Sequence, residues 1–501
     1  MANDPEVNRR GFLKTGFAGA TGLASLGGIL GVNRLLSETT EGVHVSRTRQ
    51  AQAYVQSGNT RATEGGGPTG VLKAGVAKVD ITPPVGTMMW GYFERLTPAK
   101  SVLDPLFARV LVLEAGDRRW ALVTLDLGRT FGPASLESLK KAIKQSSSIS
   151  FLLTAASHTH AGPVVMDEDP NGTPAWETTA LERIAKAVDE ACARLVEARL
   201  GADYGTVDIG YNRRRVNPDG TVTMFWSNPT KVPTAPVDPT VSVLRVDAAD
   251  GQPLAVLVNY ACHAVIFGAD NLQFSADYPG VMAEVVERDM DGRPLCFFLQ
   301  GAAGDINPYF TGTTVQDGAV KMRDWTGQRL GEEAARVANA IRTQRDPSSS
   351  IAVVNDTLTF DLRWNPRRFH QALLLAYGPT VFQHFAPQIT GELQFPVSTV
   401  LLNNRIAWMT MPGEPFVDFQ INWRDRCPVR DAFFLGYANG YSGYIPTILT
   451  ATQGGYGTAN STTWVEVGAG ERMVDHALVR TYEMMGRLTD APEELLKGHA
   501  D

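Results

Sequence analysis

The 501-residue sequence predicts an α/β fold: a mixed β-sheet core with flanking helices in a single large domain. Three observations lead there. Apolar strand-like runs alternate with segments of 3.6-residue periodicity through the first two thirds of the chain. Strand-like runs then resume without equally clear helices between them, which predicts a mixed rather than a wholly parallel sheet. No internal repeat and no break in composition calls for a second globular unit. Hydrophobic residues make up 44% and charged residues 20% of the chain, ordinary values for a soluble protein with a sizeable core.

The N-terminal region is expected to stand apart from this fold. Asn8-Arg9-Arg10-Gly11-Phe12-Leu13-Lys14, followed by a Gly/Ala-rich apolar run to Leu36, reads as a twin-arginine signal within residues 1–53. Export to the periplasm or beyond the cell is the localisation it implies. Residues 54–72 read as a linker rich in Gly and Thr, and residues 73–490 as the folded domain.

Within that domain, strands are predicted at Gly75–Thr82, Phe107–Glu114 and Trp120–Leu127. A helix at Ala134–Gln145 and a strand at Phe151–Ala156 follow. Glu177–Leu200 carries a helical apolar repeat. Leu254–Tyr260, Val281–Met290, Leu295–Gln300 and Thr326–Thr343 then read as strand, helix, strand and helix. Strand-like runs at Ile351–Phe360 and Thr399–Met411 and a helix at Arg472–Leu488 complete the pattern.

Charge and cysteines narrow the partners. The net charge is −7, and residues 1–53 hold six basic and four acidic side chains, so the remainder stands at −9. Such a surface offers no electrostatic footprint for nucleic acid. Cys192, Cys262, Cys296 and Cys427 are widely spaced without a C-x-x-C, so buried free thiols are expected rather than a disulfide framework.

The chemistry-bearing residues sit at strand ends. Phe151–Ala156 runs into Ser157-His158-Thr159-His160-Ala161-Gly162-Pro163, and the run Leu254–Tyr260 likewise delivers His263. Alternation along an extended chain puts His158 and His160 on one face. A histidine pair in a strand is as often structural as ligating. Glu414 follows an apolar strand and a Pro-Gly turn, where it is either exposed for coordination or a surface acid. Tyr437, Tyr441 and Tyr444 crowd one Gly-rich loop, as a cleft wall or as core filler. Gly301-Ala-Ala-Gly304-Asp305-Ile306-Asn307-Pro308 lacks the lysine of a phosphate loop, and its glycines allow close backbone approach to a substrate.

Taken in order, Met88–Tyr92, Val123–Gly128, Ser157–Pro163, Asn259–His263, Gly304–Pro308, Pro412–Glu414 and Asn439–Tyr444 resemble the motifs of the neutral/alkaline, non-lysosomal ceramidase family over about Gly75 to Asn460. The resemblance implies a zinc ion held by His158, His263, Glu414 and Tyr444, with His160 beside it as proton shuttle or oxyanion stabiliser. It implies a substrate-contacting arginine at Arg213, within Arg213-Arg214-Arg215. Asp126 and Tyr441 are expected behind the ligands, orienting them. The implied activity is hydrolysis of an N-acyl amide, ceramide or a related lipid, by metal-activated water. A zinc hydrolase of esters or other amides, and a metal-retaining binding protein without turnover, are the alternatives. The expected partner is a small-molecule or lipid substrate, with no nucleic acid and at most peripheral membrane contact. Two departures stand out. Asn307 occupies the place where the family's ceramidases carry a serine nucleophile, and the stretch after Asn460 is too short for their C-terminal immunoglobulin-like domain.

Overall fold

Alternating side chains sort the strands of this protein onto two faces, and that sorting builds the layers. In the computed structural model, which describes residues 69–167, 172–374, 391–458 and 462–488, the twin-arginine region and most of the linker lie outside the described residues. Eight strands form the larger sheet: β1 (Lys73–Asp80), β2 (Phe107–Ala115), β3 (Arg118–Leu125), β4 (Phe151–Ala156), β5 (Val196–Thr206), β6 (Thr240–Ala248), β7 (Pro253–Tyr260) and β8 (Leu295–Gln300). Their spatial order is β8-β7-β6-β5-β1-β2-β3-β4. Only the outermost pairs, β7 with β8 and β3 with β4, run parallel.

That order contains a repetition the sequence does not display. Three antiparallel strands, a helix, a parallel strand and a second helix occur twice, with helices Pro133–Ser147 and Ala175–Ala193 in the first half and Asp277–Asp289 and Ala319–Ala340 in the second. The halves join where β1 meets β5, pairing Lys73 with Glu197 and Ala74 with Val196.

A smaller sheet packs on the larger. It comprises β9 (Ser349–Asp361), β10 (Glu392–Leu402), β11 (Ile406–Thr410) and β12 (Asp431–Leu435), with Thr69–Gly70 paired to the start of β9. Along β2, Val110 and Val112 face the helices of the first half, whereas Leu111 and Leu113 join a core shared with the smaller sheet. On β11, Trp408 enters the same shared core while Ala407 and Met409 face helices Val417–Arg426 and Ala469–Met484. Helices, large sheet, small sheet and helices thus form four layers, and period-2 patterning assigns nearly every buried residue its layer.

Two boundaries differ from the sequence reading. The predicted helix to Leu200 stops at Ala193, and Val196–Thr206 becomes a strand central to the large sheet. Its apolar residues carry the helical repeat onward, and the pairing with β1 and β6 decides for a strand. The run Thr399–Met411 is interrupted by Asn403 and Asn404, both left-handed at φ 52° and 51°, which fold it into the hairpin of β10 and β11. The sheets are mixed, as predicted. All four cysteines are free, two of them buried and two half-buried. Among the described residues no helix is long and apolar enough to cross a membrane.

Candidate metal centre

The centre lies where the ends of the large sheet approach each other. Beyond β4 the chain runs alongside the exit of β3, with Ser157 N–H donating to Leu125 and His158 N–H to Leu127, each at 2.9 Å. His158 itself is left-handed at φ 62°, a conformation that costs a non-glycine residue energy and turns its ring inward. His263 follows β7, its N–H bonded to the carbonyl of Ile306 at 3.0 Å. Glu414 comes from the smaller sheet, beyond β11, in a two-residue parallel ladder that sets it opposite Tyr444.

These elements bring the donor atoms together. Glu414 Oε2 lies 3.1 Å from His263 Nε2 and 3.4 Å from His158 Nε2, and His160 Nε2 lies 3.3 Å from His158 Nε2. One ligand atom from each of His158, His160 and His263 falls within 4.8 Å of the others. Donors around a tetrahedral ion with N and O ligands are about 3.3 Å apart. The spacings match, and the residues fit a metal ion.

Backbone carbonyls fix two of the three rings. His158 Nδ1 meets the carbonyl of Gly128 at 2.6 Å, and His263 Nδ1 meets those of Ala303 at 2.5 Å and Ile306 at 3.1 Å. A carbonyl only accepts, so both Nδ1 atoms carry the proton and both Nε2 lone pairs face the centre. The Nδ1 of His160, also buried, has no partner among the described residues. That difference sets His160 apart from the two rings whose Nδ1 atoms are held by backbone carbonyls.

Burial lowers the His263 pKa to about 4, and Arg213 and His158 add to that while Glu414 opposes it. His160 is pushed well below the ordinary histidine value, first by burial and then by its two neighbouring imidazoles. For Glu414 burial works upward, but His158 and His263 outweigh it and hold the carboxyl well below its usual range. Burial thus favours the neutral ring at His160 and His263, and the neighbouring imidazoles favour the ionised carboxylate at Glu414, states that suit metal binding.

Beside it stands a buried arginine. Arg213 donates to the carbonyl of Gly304 at 2.5 Å, to the Tyr444 hydroxyl at 3.1 Å and to Asn307 Oδ1 at 3.3 Å, and its Nε has no partner among the described residues. Of the three consecutive arginines, Arg214 instead caps carbonyls of Thr450 and Gly454, and Arg215 is exposed. Tyr441 donates to Glu414 Oε1 at 2.6 Å, as a residue orienting that carboxylate would. Asn307, buried on a short strand, also bonds the hydroxyl of Tyr211.

Two expectations are corrected. Asp126 does not orient an imidazole: Arg109 on β2 grips both its oxygens at 2.8 and 3.0 Å, and it accepts from the N–H of Phe107. The rings are oriented by carbonyls instead. The close backbone approach at Gly304 is to Glu414, not to a substrate, since a Cβ there would lie 2.4 Å from the Glu414 carbonyl oxygen. Sequence reading also passed over Trp90, edge-on to His158 and Tyr441, and Tyr456, whose ring lies 5.2 Å from the Arg213 guanidinium. The signals were present: Trp90 precedes the Gly91-Tyr92 pair of the first motif, and Tyr456 stands among Gly454, Gly455 and Gly457. Burial raises the Tyr456 pKa to about 12. Arg95 was missed as well. It is buried and ties the carbonyls of Trp90, His160, Gly268 and Ala269 together beneath the site.

Comparison with known proteins agrees with this architecture. The chain is 26% identical over 252 residues to neutral ceramidase of Pseudomonas aeruginosa, a match covering 47% of this chain and 36% of that protein. It is 24% identical over 269 residues to neutral ceramidase A of Dictyostelium discoideum, covering 49% of this chain and 34% of that one. The chain thus matches about a third of the length of these relatives. Its fold superimposes on a ceramidase complexed with C2 at a TM-score of 0.66, with 18% identity over 84% of this chain and 77% of that one. The crystal structure of neutral ceramidase from Pseudomonas aeruginosa gives 0.65, with 18% identity over 85% of this chain and 77% of that one. Residues 72–335 match the family model for the N-terminal part of neutral/alkaline non-lysosomal ceramidases, and with that match over half its length the chain belongs to the neutral/alkaline ceramidase family.

Proposed function

We propose that this protein is a zinc-dependent hydrolase that cleaves an N-acyl amide, ceramide or a ceramide-like lipid. The observation that carries the reading is the fixed tautomer of His158 and His263, whose Nε2 lone pairs converge with Glu414 Oε2 in a buried site. His158, His263 and Glu414 hold the ion, with Tyr444 as the fourth ligand, and a set of N and O donors from distant strand ends suits catalytic zinc. When bound, zinc supplies a water acidified towards neutrality and an electrophile for the acyl carbonyl.

The chain's own residues do the rest. His160, neutral and with both ring nitrogens uncommitted to backbone, takes up a proton and returns it to the departing amine. Arg213 and Asn307 supply donors for the charge that develops on the carbonyl oxygen. An amide side chain at 307 is no nucleophile, so no acyl-enzyme forms there. Lipid substrates are favoured by the exposed apolar residues on the elements that carry the site. Phe93 lies within the Tyr92–Arg95 segment under His160 and Leu96 follows it, Trp226 stands 5.6 Å from Arg213, and Ile448 and Leu449 follow Tyr444.

The test combines metal analysis with a hydrolysis screen. Wild-type protein should hold about one zinc per chain, and His263→Ala should lose most of it. Asn307→Ala should keep zinc but release fatty acid from N-acyl amides on the order of 100-fold more slowly. Normal zinc in both His263→Ala and Glu414→Ala would sink the ligand assignment. Release from esters alone would make the protein a zinc esterase, and bound zinc without any release would make it a binding protein.

A further inference from the structure

Tyr437 is the buried group that the proposed chemistry leaves unused, and its surroundings give it a role. It lies on the segment Gly436–Asn439, which closes the gap between the two outermost strands of the large sheet. Gly436 N–H donates to Gln300 at the end of β8, Ala156 N–H on β4 donates to Tyr437, and Asn439 N–H donates to Thr154, at 3.0, 3.1 and 2.9 Å. Tyr437 N–H reaches the carbonyl of Gly413, the residue before Glu414, at 2.9 Å. One residue therefore ties together the strand that carries His158 and the turn that carries Glu414.

Its side chain is as closely engaged. The ring is fully buried and lies over His158, with centroids 4.3 Å apart and planes 31° from parallel; the His263 ring is 6.3 Å away. Its hydrophobic neighbours are Ala156, in the strand leading to His158, and Ala303, whose carbonyl fixes His263. The hydroxyl has no hydrogen-bond partner among the described residues. The backbone is left-handed at φ 54°, a strained state for an aromatic residue. Phenylalanine would fill the same space without burying an unpaired hydroxyl. Strain and an unsatisfied polar group kept together beside a site mark a residue held for use there.

We propose that Tyr437 is a positioning residue of the metal centre: its ring holds the plane of His158, and its hydroxyl donates a hydrogen bond to the polar group that occupies the loaded site. This rests on the metal reading above. The rival is a tyrosine serving only as core filler.

Cobalt(II) separates the two, because its visible absorption band reports ligand geometry without any turnover. In the full-length chain, Tyr437→Phe removes only the hydroxyl and Tyr437→Leu removes the ring as well. Affinity is read by competition with a chelator, and stability by denaturant unfolding of the chelator-treated protein. Tyr437→Phe should weaken cobalt binding 10-fold or more and alter the absorption band, while the metal-free protein unfolds at the same denaturant concentration or higher. Tyr437→Leu should weaken binding further. Unchanged affinity and an unchanged band in Tyr437→Phe would overturn the proposal, as would weaker binding matched by an equal loss of metal-free stability. Wild-type protein that binds neither cobalt nor zinc would overturn the metal reading itself and this proposal with it.

Discussion

Asp277 begins the helix Asp277–Asp289 in a left-handed conformation, φ 58°, and its carboxylate accepts from the N–H groups of Ile266, Phe267 and Tyr278. It thereby pins the loop that leaves His263. Burial raises its pKa from 3.8 to about 6 against those hydrogen bonds and the nearby Arg323 guanidinium. The folded state grips this proton more tightly than the unfolded chain does. That stabilisation is complete below about pH 4 and is lost as pH rises through 6, a change of about 3 kcal/mol at 1.36 kcal/mol per unit. Asp277→Asn has no such proton. Denaturant unfolding at pH 4 and pH 7.5 should show the wild type losing about that much relative to the variant, and a difference independent of pH would mean the carboxyl is not displaced. Single residues differ in how far the sequence reveals them. His158 and His263 are legible as candidates because two separate apolar runs each deliver an imidazole at a strand end, although either alone could be structural. Asp126 is not, because its partner Arg109 is supplied by the neighbouring strand, 17 residues away, and only the register of β2 on β3 brings them together.

At the scale of elements, the turn after β3 and the segment around Trp90 form one unit. A Cβ on Gly128 would lie 2.1 Å from Trp90 Cδ1, and the Gly128 carbonyl anchors His158. Gly128→Ala must displace either the indole or the carbonyl, at a cost of roughly 1–3 kcal/mol typical of overpacking. Metal content should fall with stability. Adding Trp90→Ala makes room for the methyl group, so the double variant should hold more metal than Gly128→Ala alone; equal content would show that the contact does not govern the anchor. Strand-end sites of this kind are readable in outline, since the motif residues are contiguous. Where one element stops is less so. The helix predicted to Leu200 and the strand that begins at Val196 share residues compatible with both, and pairing with β1 and β6 decides between them.

Across the whole molecule, the two sheets are held by a shared core in which Trp120 and Trp408 meet with ring centroids 4.6 Å apart, both fully buried. Trp408→Ala should cost about 3–5 kcal/mol. If the layers form one cooperative unit, denaturant unfolding should remain a single transition moved to lower concentration; two separated transitions would show that the sheets unfold independently. A mixed sheet with flanking helices could be anticipated from alternating patterns, but the second sheet and the duplicated strand order could not, because the stacking of sheets and equal connectivity leave no mark on composition or spacing. The order of the chain also sets a timetable. His158, His160 and His263 lie in the segment synthesised first, whereas Glu414 follows His263 by 151 positions and Tyr444 comes later still. While the ribosome is still working, the growing chain has imidazoles but not the carboxylate that converges with them. On the proposed ligand set the donors are complete only once residue 444 has been added, so capture of an ion waits until both sheets have been made.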